Sequence, residues 1–443
     1  MAAPAAQAEP LAPRWEGDHA GGMTDASEPQ PPATTFFADE GMNFDLLTTL
    51  GAAPMGTAEV GEVLAMVDAI RAAGESYQAY FDAFHAGGTR LVGQARASER
   101  NGDAVRATHE ALRASNYLQS ALFFVLGSDR ASHEQRVYED VADAWNLAAP
   151  NLAPVAEPLS IPFGDRPMPG WFFAPDDSGR PRRTLVVSNG SDGQYVWVWG
   201  FIAAAALERD WNVVLFEGPG QGSMLFVHHL PFRADWEAVI TPVVDHLSAR
   251  TDVDAGRIAL LGGSMSGELT ARAAAFEHRL AALVTAPGSV APWRAFPEVL
   301  RDIVTDDPGE TNRNWNEGII PFLNDHQVFT LRKRLEIYDP HALAAVRRGE
   351  LPSDFWTPTR VLIAQDVSDV AAHITCPTLV VDYEGETFYA GQADELHDLL
   401  TCPKDLVRMT TADGAQLHCS PLAPHHHADV VLSWLGDTVG GAD

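Results

Sequence analysis

The sequence is short of three things. It has only three cysteines, Cys376, Cys402 and Cys419, in 443 residues. That number is too small and too odd for a disulfide scaffold, and it points to a reducing compartment. It has half as many basic as acidic residues, 30 against 60, for a net charge of −30. A field of that sign repels phosphate backbones and anionic headgroups, so neither nucleic-acid binding nor membrane association is expected. Finally, no apolar run approaches the roughly 18 residues of a membrane span; the longest are short pieces such as Phe201–Leu207. The first basic residue is Arg14 and no apolar stretch follows it, so no signal peptide is expected. A soluble, cytoplasmic protein is the expectation.

What is present suffices for a large core: 46% of residues are hydrophobic. At roughly 150 residues per domain the length suggests about three units. Residues 1–35 hold nine Ala, six Pro and three Gly but no Val, Ile or Phe. Such a segment buries too little surface to offset chain entropy and reads as a disordered leader. No solenoid-type repeat is visible. Over 40–150 the periodicity is helical. Val60, Val63, Leu64, Val67 and Ile70 share one helix face. A second helix opens after Asn101-Gly102-Asp103 and carries Ala111, Ser115, Leu118, Leu122 and Val125. An all-helical cap domain is expected there.

From about 155 to 443 the rhythm changes. Short apolar runs at Leu185–Val187, Val213–Phe216, Ile258–Leu261 and Leu379–Val381 alternate with helical segments at 196–209, 234–250 and 265–278. Continuous apolar strands between helices imply a mostly parallel, doubly wound sheet buried on both faces. Between about 292 and 373 the alternation lapses into a mixed segment with Trp293, Phe296, Trp315, Phe322 and Trp356. This is expected to be a helical insertion at a sheet edge, serving as a lid.

The informative stretch is Leu260-Leu261-Gly262-Gly263-Ser264-Met265-Ser266-Gly267. A strand runs into a tight turn of small residues with a serine at its apex, and an Ala-rich helix follows. That arrangement projects a serine hydroxyl from the C-terminal edge of a sheet, and bulky neighbours would clash. Ser266 stands where the strict G-x-S-x-G pattern has a second glycine. No Walker lysine follows, which disfavours phosphate binding. A serine nucleophile needs an acid and a base, in the chain order Ser…Asp/Glu…His for this geometry. The strand Pro377–Val381 ends in three carboxylates, Asp382, Glu384 and Glu386, with Glu386 ranked first and Glu384 second. His418, after the last strand (405–410), suits the base. His425-His426-His427 is consecutive and reads as solvated helix surface. His228-His229 is ambiguous. Oxyanion donors are expected from the amide of Met265 and from Gly190 or Ser191 after the first core strand. Together these signals point to the α/β-hydrolase fold.

Other segments carry a resemblance. Phe216-Glu217-Gly218-Pro219-Gly220-Gln221-Gly222, Pro231–Glu237, the Ser264 elbow through Arg279, Thr375–Thr378, Gly391-Gln392-Ala393, Thr401–Lys404 and Arg113–Tyr117 are similar to one α/β-hydrolase subgroup. It includes 2,6-dihydroxypseudooxynicotine hydrolase and the fungal chain-shortening hydrolases of naphthopyrone pigment biosynthesis. The likeness spans roughly residues 40–440. It implies an N-terminal helical cap, frequent homodimers, and cofactor-independent cleavage of C–C bonds beside carbonyls. Residue by residue, it implies Ser264 as nucleophile, His418 as base and Glu386 as acid. The subgroup usually has Asp at the position of Glu386 and Gly at that of Ser266.

The expected function is therefore hydrolysis of a C–C or ester bond in an aromatic, polyketide-like small molecule. Tyr195, Trp197, Phe226, Trp293, Phe388 and Tyr389 are candidate stacking surfaces, with no metal and no cofactor. Two other readings stand beside it: non-hydrolytic tailoring chemistry in the same pocket, and a non-catalytic ligand-binding protein.

Overall fold

The computed structural model describes residues 34–440; nearly all of the leader expected over 1–35 lies outside the described residues. Five long helices come first: α1 (Glu40–Gly51), α2 (Val60–Ala72), α3 (Tyr77–Arg100), α4 (Ala104–Phe124) and α5 (Glu134–Ala148). Their starts follow from capping chemistry. The side chains of Asp39, Ser76 and Asp103 accept the amides of Met42, Ala79 and Arg106, satisfying otherwise orphaned helix N–H groups. The face proposed for α2 needs a correction. Val63, Met66, Val67 and Ile70 are buried, whereas Val60 and Leu64 are exposed. The buried stripe is centred on 63, 66/67 and 70, which leaves 60 and 64 on its solvent flank.

Eight strands then form one sheet in the order β1-β2-β4-β3-β5-β6-β7-β8. Their ranges are β1 (Val155–Ile161), β2 (Met168–Ala174), β3 (Arg182–Ser188), β4 (Asn212–Phe216), β5 (Val253–Gly263), β6 (Ala282–Ala286), β7 (Thr378–Tyr383) and β8 (Lys404–Met409). β1 and β2 pair antiparallel at one edge, and every pairing from β4 through β8 is parallel. The apolar runs are continuous because the sheet is covered twice. Val186, Val214, Leu260 and Val380 pack with Val239, Ile240 and Leu269 on one side. Leu185, Val187, Val213, Leu261 and Val381 pack with Ile202, Val431 and Leu435 on the other. Among the described residues, no helix is long and apolar enough to cross a membrane. The three cysteines are free.

The segment between β6 and β7 is a chain of short helices around Trp315, stacked on Phe355 at 4.3 Å, with Leu300, Ile319, Leu331 and Leu335. It does not leave from a sheet edge as expected. β6 and β7 are hydrogen-bonded neighbours inside the sheet, so the insertion rises from the middle of the C-terminal edge. Its helix Asp325–Leu335 starts with a capping box between Asn324 and Gln327.

Candidate active site

The turn after β5 makes the site. Ser264 sits at φ +55°, a left-handed conformation that is costly for a residue with a side chain. It is held there from both sides. Its amide donates to the Ala286 carbonyl at 2.8 Å, and its own carbonyl accepts the Gly267 amide at 2.9 Å. Glycine is required at 262, where a Cβ would lie 2.0 Å from the Ser266 carbonyl oxygen.

Ser264 Oγ lies 2.9 Å from His418 Nε2, and His418 Nδ1 lies 2.6 Å from Glu386 Oε2. The imidazole is presented by the loop after β8, where Cys419 and Ser420 both take positive φ and Ser420 Oγ bonds the Ala415 carbonyl. Glu386 is fixed in turn by the amides of Phe388 and Tyr389 on its Oε1, at 2.8 and 3.3 Å. The other two carboxylates are used elsewhere. Asp382 pairs with Arg408, and Glu384 is exposed and accepts the Thr411 amide. Burial alone raises the Glu386 carboxyl, but the charge and hydrogen bond of His418 and the two amides bring it below the ordinary range. Burial alone lowers the His418 imidazole; Cys419 and Glu386 outweigh it and raise the ring above its ordinary value.

The loop after β3 packs directly on this trio. A Cβ at Gly190 would stand 3.0 Å from Ser264 Oγ. The Gly190 amide is already engaged by Asn189 Oδ1 at 2.8 Å. The amides of Ser191, next to Gly190 in the chain, and of Met265, next to Ser264, donate to no described residue. Ser266 ties the loop to the elbow: its buried hydroxyl contacts Ser188 Oγ at 3.0 Å and donates to the Asn189 carbonyl, which also accepts from Gln221 Nε2.

The aromatic candidates divide. Phe388 meets the His418 ring edge-on at 4.9 Å and Tyr389 lies at 6.1 Å. Trp197 stacks on Phe201 and packs on Gly263 of the elbow. Tyr195 is half-buried against Trp145, with its hydroxyl on the Pro169 carbonyl. Phe226 stacks on Tyr138, and Trp293 packs on Phe296 and Phe355 within the insertion. None of these last three has a ring contact with His418. His427 also departs from expectation. It is buried between Phe201 and Tyr383, and burial pushes it down to about 3. It shares the buried face of helix Pro424–Val439 with Ala428, Val431 and Leu435, while His425 remains exposed. His228 and His229 bond Arg166 and Arg347.

Sequence reasoning missed four neighbours. Phe44 of α1 lies 6.3 Å from the His418 ring and 6.1 Å from Phe388. Tyr338 donates from its hydroxyl to Met265 Sδ at 2.9 Å. Arg334 stands over Phe388 with its guanidinium carbon 5.4 Å from the ring centre. No sequence spacing links these positions to Ser264; only the fold does.

The fourth is Glu268, fully buried on helix Ser266–Ala274. One oxygen bonds Ser289 Oγ and the other has no partner among the described residues. Burial raises this carboxyl to about 8, against the smaller lowering effects of Ser289 and the His418 charge. In the unfolded chain it ionises at its ordinary 4.5. Between those two values the folded state binds one proton more than the unfolded state. The group therefore takes stability away as pH rises through that window, and the loss is complete above about 8. Glu268→Gln is expected to raise the melting temperature by a few degrees more at about pH 8 than at about pH 5. A difference independent of pH in thermal melts refutes this.

No family model matches the chain. It is 28% identical over 387 residues to the α/β hydrolase psoB of Aspergillus fumigatus, covering 82% of this chain and 84% of that one. It is 31% identical to hydrolyase poxO of Penicillium oxalicum over 301 residues, 65% of this chain and 68% of that one. The chain belongs to the α/β-hydrolase family. The same hydrolase fold is seen in the crystal structure of 2,6-dihydroxy-pseudo-oxynicotine hydrolase, with a TM-score of 0.64 at 20% identity over 88% of this chain and 95% of that one. Among the described residues of this α/β hydrolase, no group of three or more His, Cys, Asp or Glu is placed to hold a metal ion.

Proposed function

We propose that this hydrolase uses Ser264 as nucleophile, His418 as general base and acid, and Glu386 as orienting acid. Its proposed substrate is an aromatic, polyketide-like small molecule in which an ester bond, or a C–C bond next to a carbonyl, is broken. The unbroken contact chain Glu386–His418–Ser264 at a positive-φ elbow carries the reading. Ser264 transfers its proton to His418 Nε2 as Oγ attacks the carbonyl carbon. The carbonyl electron pair moves onto oxygen, where the Met265 and Ser191 amides stabilise it. Glu386 stabilises the imidazolium through Nδ1–H. When the tetrahedral species collapses, the leaving alkoxide or enolate carbon takes the proton from His418. Water then attacks the acyl-serine, again with His418 as base, and releases the acid. A C–C bond yields only if the departing carbanion is delocalised, which favours substrates with a second carbonyl or a phenol beside the break. Phe44 and Phe388, packed around the imidazole, offer flat apolar surface for such rings. The N-terminal helices act as a cap in this reading, since α1 supplies part of that wall.

The test incubates the protein with activated aryl esters and aromatic 1,3-diketones in ¹⁸O-water and identifies products by mass spectrometry. One solvent oxygen in the acid product, with Ser264 phosphonylated by a fluorophosphonate that loses fluoride, is expected. Product lacking solvent oxygen, or no labelling of Ser264, overturns hydrolysis by this serine.

Glu386→Gln separates orientation from mere packing. It is expected to lower kcat by about 10²- to 10⁴-fold, because the amide does not hold the required tautomer. It also removes a negative charge that raises His418, so the acid limb of kcat/KM should move to lower pH. A limb that stays in place or moves upward contradicts the assigned role.

A further inference from the structure

Arg334 stands beside the aromatic wall of the trio, loosely paired with Asp192 and donating no hydrogen bond to a described residue. It comes from the insertion helix Asp325–Leu335, and its guanidinium lies over Phe388, the ring that meets His418 edge-on. Its side chain is about a third exposed (34%). Its nearest charged group is Asp192, with Nη1 3.6 Å from Oδ2, beyond hydrogen-bonding distance. That Asp192 oxygen is instead taken by Ser191 Oγ at 2.6 Å. The adjacent Lys333 is buried and committed to Glu336, with Asp192 Oδ1 4.0 Å away. Asp45 of α1 is a further acid near Asp192, and it is hydrogen-bonded by Tyr80 and Ser120. Arg334 is thus a planar five-donor fork over the aromatic wall, facing a carboxylate already turned toward another partner.

We infer that Arg334 is a specificity-determining residue that receives a carboxylate on the substrate, distal to the bond that is cleaved. The inference rests on the serine reading above and names the substrate class for that same site. Guanidinium matches a carboxylate bidentately, and its placement over Phe388 puts the anchored group beyond the imidazole rather than on the attacked carbonyl. Asp192 shows that a carboxylate fits beside the fork, and it is also the group a substrate carboxylate must displace. In a protein of net charge −30, bulk electrostatics disfavours anionic ligands, so selection for one must be local.

The test compares two p-nitrophenyl esters with acyl chains of equal length, the hemiglutarate with its free carboxylate and the neutral pentanoate. The readout is the ratio of their kcat/KM values. Wild type is expected to favour the hemiglutarate, chiefly through KM. Arg334→Gln should lower the ratio at least about tenfold, the effect of one charge-assisted hydrogen bond. Arg334→Lys, which keeps the charge, should restore part of it, and Asp192→Asn should raise it by removing the competing carboxylate. A wild-type ratio below one, or a ratio unmoved by Arg334→Gln in a variant with native circular dichroism, overturns the inference. Ser264→Ala run on both esters keeps the two readings apart. If it is inactive on both while the ratio ignores Arg334, the serine assignment stands and the carboxylate anchor falls.

Discussion

Ser264→Ala should abolish turnover of both esters and diketones, lowering kcat by about a thousandfold or more while leaving the fold intact. Removing the nucleophile of a working Ser-His-acid set costs nearly as much as removing the whole set, because its members act as one unit. What survives derives from the oxyanion donors and substrate binding. The substitution is mild structurally: it deletes one oxygen that contacts His418 Nε2, and the backbone bonds to Ala286 and Gly267 persist. The check is a progress curve for each substrate class with a thermal melt on the same sample. Activity within tenfold of wild type, in protein that melts normally, would remove Ser264 from the chemistry.

The second large effect is on the turn itself. Gly262→Ala places a methyl 2.0 Å from the Ser266 carbonyl oxygen and 2.2 Å from Thr270 Oγ1. The first of these is backbone in the turn that holds Ser264, and it has no rotamer to change. The strand end and the following helix must therefore separate, at a cost of roughly 1–3 kcal/mol or more. A shift of about 1 Å at the hydroxyl is worth a further hundredfold in rate. Urea midpoint and kcat/KM should fall together. Gly263→Ala is the informative contrast, because its methyl meets the Trp197 ring at 3.0 Å, a side chain with some freedom to yield. Equal behaviour of the two variants would show that the elbow tolerates crowding and that its geometry matters less than argued here.

The trio was readable from the sequence because each member follows an apolar strand and its spacing along the chain leaves room for the helices between them. The core strands β3, β4, β5 and β7 were readable for a related reason: buried on both faces, they appear as unbroken apolar runs. β6 was not, since Ala282–Ala286 is only five residues with alanine at both ends. β2 was hidden by Pro169 and Gly170, although that glycine is required where Leu215 passes, a Cβ there lying 2.6 Å from its carbonyl oxygen. The wall of the site was the least legible part. Phe44, Arg334 and Tyr338 reach His418, Phe388 and Met265 respectively from separate parts of the chain, and no local period records such meetings. Aromatic residues were easy to count but not to orient: Tyr195, Phe226 and Trp293 have the same chemistry as Phe388 and turn toward other partners. His427 shows the opposite error, a polar-looking triplet in which helical geometry buries the third member.

The bonds that fasten Asn189 have a kinetic meaning. Its carbonyl is gripped by Ser266 and Gln221, and Ser188 beside it accepts from the Trp236 indole. In the proposed mechanism, the loop that supplies the Ser191 amide is therefore held before any ligand arrives, and no binding energy is spent on freezing it. Adaptation to molecules of different outline must then fall to the opposite wall, where Phe44 and Arg334 ride on separate helices. Variants that broaden the range of accepted molecules should accumulate on that wall, while changes at Ser188, Gln221 or Ser266 slow every substrate alike.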